Sequence, residues 1–461
     1  MNKKLILGTT AFSGLVVSLM PALAQDLGGL RMTFGVDQRF DVGDNLSLDV
    51  PSAGSSAVST TFLTFDALSE TRTQTLAFSL GGALRGGNVE DGVETGFVEP
   101  SIGLSYERRG ANASGFIGAN YRESDISFLR QLSEFENEDG VIELPEDFES
   151  LNGTGIRQTS RLNARLETGL TDPIGFVFFA NATDVTYANL SATSTLDDYQ
   201  RAAAGATVLF RFSPVSTVFV DASYDSFMSE DAASTDRNTT SLSVGAEHQI
   251  SATTQVVASL GYSRTDTDEF GITTTEEGVI GSVLWEREMT SGTVMTSFDV
   301  TQNQNGRRAT LLFGQMLEQP LGSLSYDIGV TDSDRFDANI VGGLNWLRDV
   351  PTGNVFARID RRVTSNSEDN ERLFTTVALG YLHDINSVSS ITFDASYGAS
   401  DFDNSNDVVR KDLTVSYNRN LTQDWILSTG ASYQIRDEDT VGKADSQSIF
   451  LSLRRDFDLL R

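Results

Sequence analysis

Apolar and polar residues alternate with period two along almost the whole chain. Leu30, Met32, Phe34 and Val36 are separated by Arg31, Thr33 and Gly35. Leu242, Val244 and Ala246 are separated by Ser243 and Gly245; Trp425, Leu427, Ala431 and Tyr433 share one parity, and Ser428, Gly430 and Ser432 the other. This is the period of a strand with one apolar and one polar face. Between such segments, tight turns are read at 69–73, 108–111, 170–173, 213–216, 251–254, 289–293, 319–322, 349–353, 384–387 and 420–423. Pro173, Pro214, Pro320 and Pro351 fall in them, where a fixed φ helps and no ladder hydrogen bond is lost. Ten hairpins plus lone strands at 28–42 and 446–459 predict about 22 strands, within a range of about 18 to 24. An open sheet that long would expose its edges, and closure removes them. The predicted fold class is all-β, an antiparallel up-and-down β-barrel.

The aromatic residues place that barrel in lipid. Tyr121, Tyr224, Tyr262, Tyr397 and Tyr433 fall on apolar faces near the long-loop ends of their strands. Tyr106, Phe212, Trp285, Trp346, Tyr381, Tyr417, Trp425 and Phe457 fall near the tight-turn ends. Two aromatic rings around a band of aliphatic residues suit a transmembrane barrel with both termini on the tight-turn, periplasmic side. A soluble sandwich core predicts no such sorting.

Met1 to Ala24 has Lys3 and Lys4, an apolar stretch from Leu5 to Leu19 and Ala22-Leu23-Ala24 before Gln25, the layout of a secretory signal. The predicted domain plan is a leader at 1–24 and one barrel at 25–461. Without the leader's two lysines the formal charge moves from −30 to −32, which excludes nucleic-acid binding through a basic face. With no cysteine and two histidines, disulfides, thiolate metal sites and most metal or general-base chemistry drop out, and no cofactor is expected. No run beyond the leader approaches the roughly 18 to 20 apolar residues of a spanning helix.

The longer loops are acidic: Ser229 to Asp236, Thr265 to Glu269, Ser365 to Glu371, Asp401 to Asp407 and Asp437 to Asp445 are read as the cell-surface face. Asp401, Asp403 and Ser405 lack the glycine and glutamate of a calcium loop and are read as solvated. The longest insertion, at about 122–155, mixes eight acids between Glu134 and Glu149 with Phe128, Leu129, Phe135, Val141, Ile142, Leu144 and Phe148. Its apolar residues argue that part of it packs, in the lumen or over the mouth; plain exposure at the surface, the usual state of a long loop, is the alternative and the one expected. Arg157, Arg161 and Arg165 follow on one strand face, roughly 13 Å apart, as candidate lumen lining. Arg201, Arg211, Arg358 and Arg362 also point inward by parity, balanced by Asp221, Asp225, Asp299, Asp327, Asp360, Asp394 and Asp412, and these charges are expected to pair across strands and hold water.

The leader, the alternating strands and the opening Arg39-Phe40-Asp41-Val42-Gly43-Asp44-Asn45-Leu46-Ser47-Leu48 resemble the β-barrel porin family of Gram-negative outer membranes. The resemblance is to the group often encoded near exopolysaccharide genes, in which a first strand leads into an Asp-Asn loop. It implies an outer-membrane location and a pore-like or export-related role, with no catalytic residue to carry over. The chain departs from many barrels in ending Phe457-Asp458-Leu459-Leu460-Arg461 rather than on an aromatic residue.

The expected function is a channel for passive passage of small hydrophilic solutes. The alternative is an outer-membrane component of exopolysaccharide export. An embedded hydrolase would need a histidine sharing a site with Ser or Asp, whereas His248 and His383 fall on apolar faces of different hairpins, so no enzyme is expected. A plugged, energised importer is not expected either, since only Gln25, Asp26 and Leu27 separate the leader from the first strand. The expected partners are outer-membrane lipid, the barrel-assembly machinery during biogenesis, and a small solute or polysaccharide.

Overall fold

The computed structural model describes residues 29–90, 93–128, 132–136, 142–145, 147–151, 153–191, 194–335, 337–365, 371–402, 408–439 and 441–460. The leader lies outside them, as do 137–141, 366–370 and 403–407 of the predicted acidic loops.

The first strands are β1 (Leu30–Asp44), β2 (Ser55–Glu70), β3 (Gln74–Asn88), β4 (Gly96–Arg109), β5 (Ala113–Asp125), β6 (Ile156–Thr168) and β7 (Ile174–Ala188). Next come β8 (Tyr199–Ser213), β9 (Ser216–Ser229), β10 (Asp236–Ser251), β11 (Thr254–Glu269), β12 (Ile272–Met289), β13 (Gly292–Asn303), β14 (Gly306–Gln319) and β15 (Gly322–Ser333). The rest are β16 (Asn339–Val350), β17 (Gly353–Ser365), β18 (Glu371–Asn386), β19 (Ser389–Phe402), β20 (Val408–Asn420), β21 (Trp425–Glu438) and β22 (Gly442–Leu460). Each pairs antiparallel with its chain neighbours, and β22 closes on β1, from Met32↔Leu460 to Asp44↔Gln447. The fold is thus the predicted closed 22-stranded barrel, in which ladders running round the ring satisfy backbone groups that lipid cannot. All ten tight hairpins stand where the turn residues put them, with connections as short as the pair between Ser251 and Thr254.

Parity settles the two faces. Leu242, Val244, Ile328 and Leu451 are exposed on the outer wall, and cross-strand pairs such as Val244↔Leu260 and Leu242↔Tyr262 build a continuous apolar band. In β4 the parity switches. The register shifts between Gly81 and Ala83, and Glu99 takes a left-handed φ of 54°. The inserted residue lets Phe97, Ile102 and Leu104 all face outward while Glu99 turns into the lumen.

Two predicted acidic loops are corrected. Thr265 to Glu269 belongs to β11, joined to β12 by Phe270-Gly271 alone, and Asp437 to Asp445 is mostly the ends of β21 and β22. These segments read as loops because they are polar on both faces. They are strands because a ladder needs a neighbour and not an apolar face, and here the strands extend past the apolar band.

Candidate functional site: the lumen and its inserted loop

The connection between β5 and β6 supplies the main feature inside the barrel. Its apolar residues pack in two places. Ile126 and Leu151 are fully buried beside Leu196, with Tyr187 and Leu190 against them. Leu132, Ile142 and Phe148 form a second core with Phe374, Ala378 and Val408, flanked by Phe356 and Leu144. Phe356, Phe374, Ala378 and Val408 lie on the inward parity of β17, β18 and β20, so the described part of the loop is folded into the lumen and not laid out on the surface as expected of a long loop. Leu132 also occupies the space a side chain at Gly398 would need, and its N–H donates to Asp412 Oδ2 at 2.7 Å.

Asp147-Phe148-Glu149 ties the loop to both walls. Arg157 of β6 donates to Asp147 through Nε at 2.7 Å and Nη2 at 3.2 Å, and the Tyr187 hydroxyl of β7 donates to the same carboxylate. Two residues on, Glu149 accepts from Arg372 of β18 and from Ser400 Oγ of β19 at 3.0 Å. Arg372 also donates to the Pro145 carbonyl at 3.2 Å. Between the two acids, the Phe148 ring lies 4.0 Å from the guanidinium of the fully buried Arg410, which donates to the Phe148 carbonyl at 3.2 Å. Burial pushes the Glu149 carboxyl above its ordinary 4.5, with Arg372 pulling the other way. Glu136 is also raised, first by burial and then by Asp394.

The opening motif is a knot at the rim of the same lumen. Arg39 forks onto Asp41 with Nε at 3.0 and 2.9 Å and sits 4.4 Å over Phe450. The Asn45 side chain accepts from the N–H groups of Asp49 and Ala53 and donates to the Asp49 and Asp445 carbonyls. Glu90 accepts from the N–H groups of Leu46 at 2.7 Å and Ser47 at 3.0 Å and from Ser56 Oγ at 2.9 Å. Arg436, paired with Glu438, reaches the Leu48 carbonyl at 3.4 Å, and Glu438 lies 3.9 Å from Arg410. A chain of contacts therefore links the first rim loop to the inserted one.

Beside the inserted loop, on the β1 to β5 and β17 to β22 side, lies a polar cavity of about 550 Å³, with Arg39, Arg85, Glu136, Asp394 and Asp412 in its lining. A smaller one of about 180 Å³ lies among Ile142, Asp327, Arg358, Asp360 and Arg362.

The predicted lining arginines meet different fates. Arg157 pairs with Asp147 of the inserted loop at 2.7 Å. Arg165 pairs with Glu167 at 2.7 Å and Arg201 with Asp225 at 3.2 Å. Arg362 pairs with Asp360 at 2.6 Å, and Arg358 lies 4.4 Å from the Phe356 ring. Arg211 donates to the Gly169 and Asp172 carbonyls and so caps a tight turn. Sequence reasoning missed Arg85, Arg372, Arg410 and Arg436. The available signal was Phe356, Phe374 and Val408 on the polar parity of their strands, which announces that something packs there.

His248 and His383 sit at separate turns, with Nδ1 2.9 Å from Ser216 Oγ and 2.9 Å from the Tyr381 hydroxyl respectively. No group of three or more potential metal ligands forms among the described residues.

No protein-family model matches the chain, and no curated protein does. Solved structures do. The FrpB iron transporter from Neisseria meningitidis (F3-3 variant) matches with a TM-score of 0.57 at 10% identity, over 93% of this chain and 82% of that one. The copper transporter OprC gives 0.53 at 11%, over 94% and 81%. The ferric-catecholate import receptor Fiu from E. coli K12 gives 0.58 at 9%, over 92% and 81%. At these identities the likeness is one of fold, and the chain has the architecture of a Gram-negative outer-membrane barrel.

Proposed function

We propose that the protein lies in the Gram-negative outer membrane and passes small hydrophilic solutes passively through a lumen narrowed by the loop at 126–155. The observation that carries this reading is the loop's attachment to two facing walls through Asp147 and Glu149, beside a polar cavity. On this reading the insert sets the size limit of the channel.

The test is conductance in planar bilayers and liposome swelling, comparing the full chain with a variant whose residues 129–150 are replaced by a short Gly/Ser linker. The expected result is channel activity in both, with larger unit conductance and a higher size limit in the variant. Activity in neither would overturn the reading. Solute uptake by a receptor is the second reading, favoured by what the similar barrels are named for; it expects a silent full chain and a conducting variant. Polysaccharide export, the alternative that the resemblance implies, would need the insert to move aside for a polymer.

A further inference from the structure

The rim opposite the tight turns is not level. Beyond the Gly281↔Val300 pair, β12 continues to Ile272 with β11 as its partner, while β13 turns into β14 at Gln304-Asn305. Continuing that register sets the β13–β14 tip opposite Glu276 and Glu277. The β11–β12 hairpin thus clears its neighbour by about six residues, roughly 20 Å. Nine residues, Ile272 to Ile280, have a ladder on one edge only, the longest such run among the described residues; its lower part is faced by β13, with Gln302 against Gly278, and Ile272 to Thr275 stand clear above the tip. Residues 272–277 are exposed on both faces.

The two-residue turn Phe270-Gly271 fixes which groups face the open side. Glu269 and Ile272 close the turn as a hydrogen-bonded pair, so Ile272, Thr274 and Glu276 direct N–H and C=O toward β11. Thr273, Thr275 and Glu277 direct theirs outward. The run Ile272-Thr273-Thr274-Thr275 is β-branched throughout and holds itself extended.

An open ladder on an extended strand is a template for another strand, and the charge says which. Between Tyr262 and Ile280 stand Asp266, Asp268, Glu269, Glu276 and Glu277 against Arg264, itself paired with Asp266 at 2.9 Å; five acids and one base leave −4. At the foot of the edge, a cavity of about 640 Å³ opens in the wall among Leu260, Val279, Phe298 and Val300, bordered by Glu277 and Asp334 and by one base, Arg307. We infer that this edge docks an extended, basic polypeptide segment of another protein, which adds to β12 as a strand. Its Lys or Arg residues meet the hairpin acids and its apolar residues cover the wall cavity.

A second copy of this chain does not fit. Copies in one membrane are related by rotation about its normal, so two such edges, each tilted about 40° to that normal, would meet crossed and could not run side by side as a ladder.

The experiment uses the full chain in detergent micelles with two ten-residue probes, one alternating lysine and valine, the other glutamate and valine. The basic probe should bind and slow amide exchange at Thr273 and Thr275 at least tenfold, and the acidic probe should do neither. Thr275→Pro removes an outward N–H while sparing the β11 ladder, and should abolish the protection. The pair Glu276→Gln and Glu277→Gln should weaken binding severalfold and flatten its salt dependence, a readout that survives if the proline variant fails to fold. No binding, binding that leaves these amides unprotected, or self-association through the edge would overturn the inference.

Discussion

Glu149 is held by Arg372 at a site where their side chains are 14% and 3% exposed, so removing the arginine strands a buried carboxylate. Arg372→Ala should therefore weaken loop seating by about 3 to 5 kcal/mol, read as a rise in unit conductance with the barrel still folded. The pH response follows from the direction of the Glu149 shift. With the loop seated the carboxyl binds its proton more readily than when withdrawn into water, so seating takes up protons as pH falls toward 4.5, and acid favours the seated state. Conductance should fall or hold on acidification, and Glu149→Gln should flatten the response; a rise in the unaltered protein would contradict the assignment. Gly398 gives a steric check. An added Cβ lies 2.8 Å from Leu132 Cδ2, a side-chain tip able to give way, so Gly398→Ala should be mild. Gly398→Leu should unseat the loop, seen as faster proteolysis within it.

At the scale of single elements, the strands were legible because a barrel wall between lipid and water forces period two on every segment. Arg placed at Val244, on the outer band, should cost about 2 to 4 kcal/mol near the midplane and less toward either interface. Arg at Ser243, one residue away and facing in, should be tolerated; equal losses in denaturant unfolding would mean that the faces are exchanged. Where strands rise past the lipid, both faces are wet and the period fades. That is why Thr265 to Glu269 read as loop. The insert was legible in part. Phe135, Ile142, Leu144 and Phe148 said that it packs, but nothing local names a wall some 220 residues away, and Arg372 and Arg410 carry no mark that separates them from other inward arginines. The Asp44-Asn45 motif was noticed for its family resemblance; its physical work, organising a rim loop around the Asn45 amide and the Glu90 carboxylate, needed the contacts.

For the whole molecule, the two anchors of the insert set a length. Arg157 stands on β6 and Arg372 on β18, twelve strands apart in a ring of 22 and so nearly opposite. A round ring of that size, with strands about 4.8 Å apart and tilted about 40°, would measure roughly 44 Å across. Two arginine–carboxylate arms and the two-residue step from Asp147 to Glu149 reach about 30 Å at full stretch. The ring is therefore oval, with the insert as a tie across its short axis. At fixed perimeter an oval encloses less area than a circle. Cutting the tie would let the wall round up and the lumen widen beyond the volume of the loop removed, while strand amides keep their exchange protection and only the conductance records the change of shape.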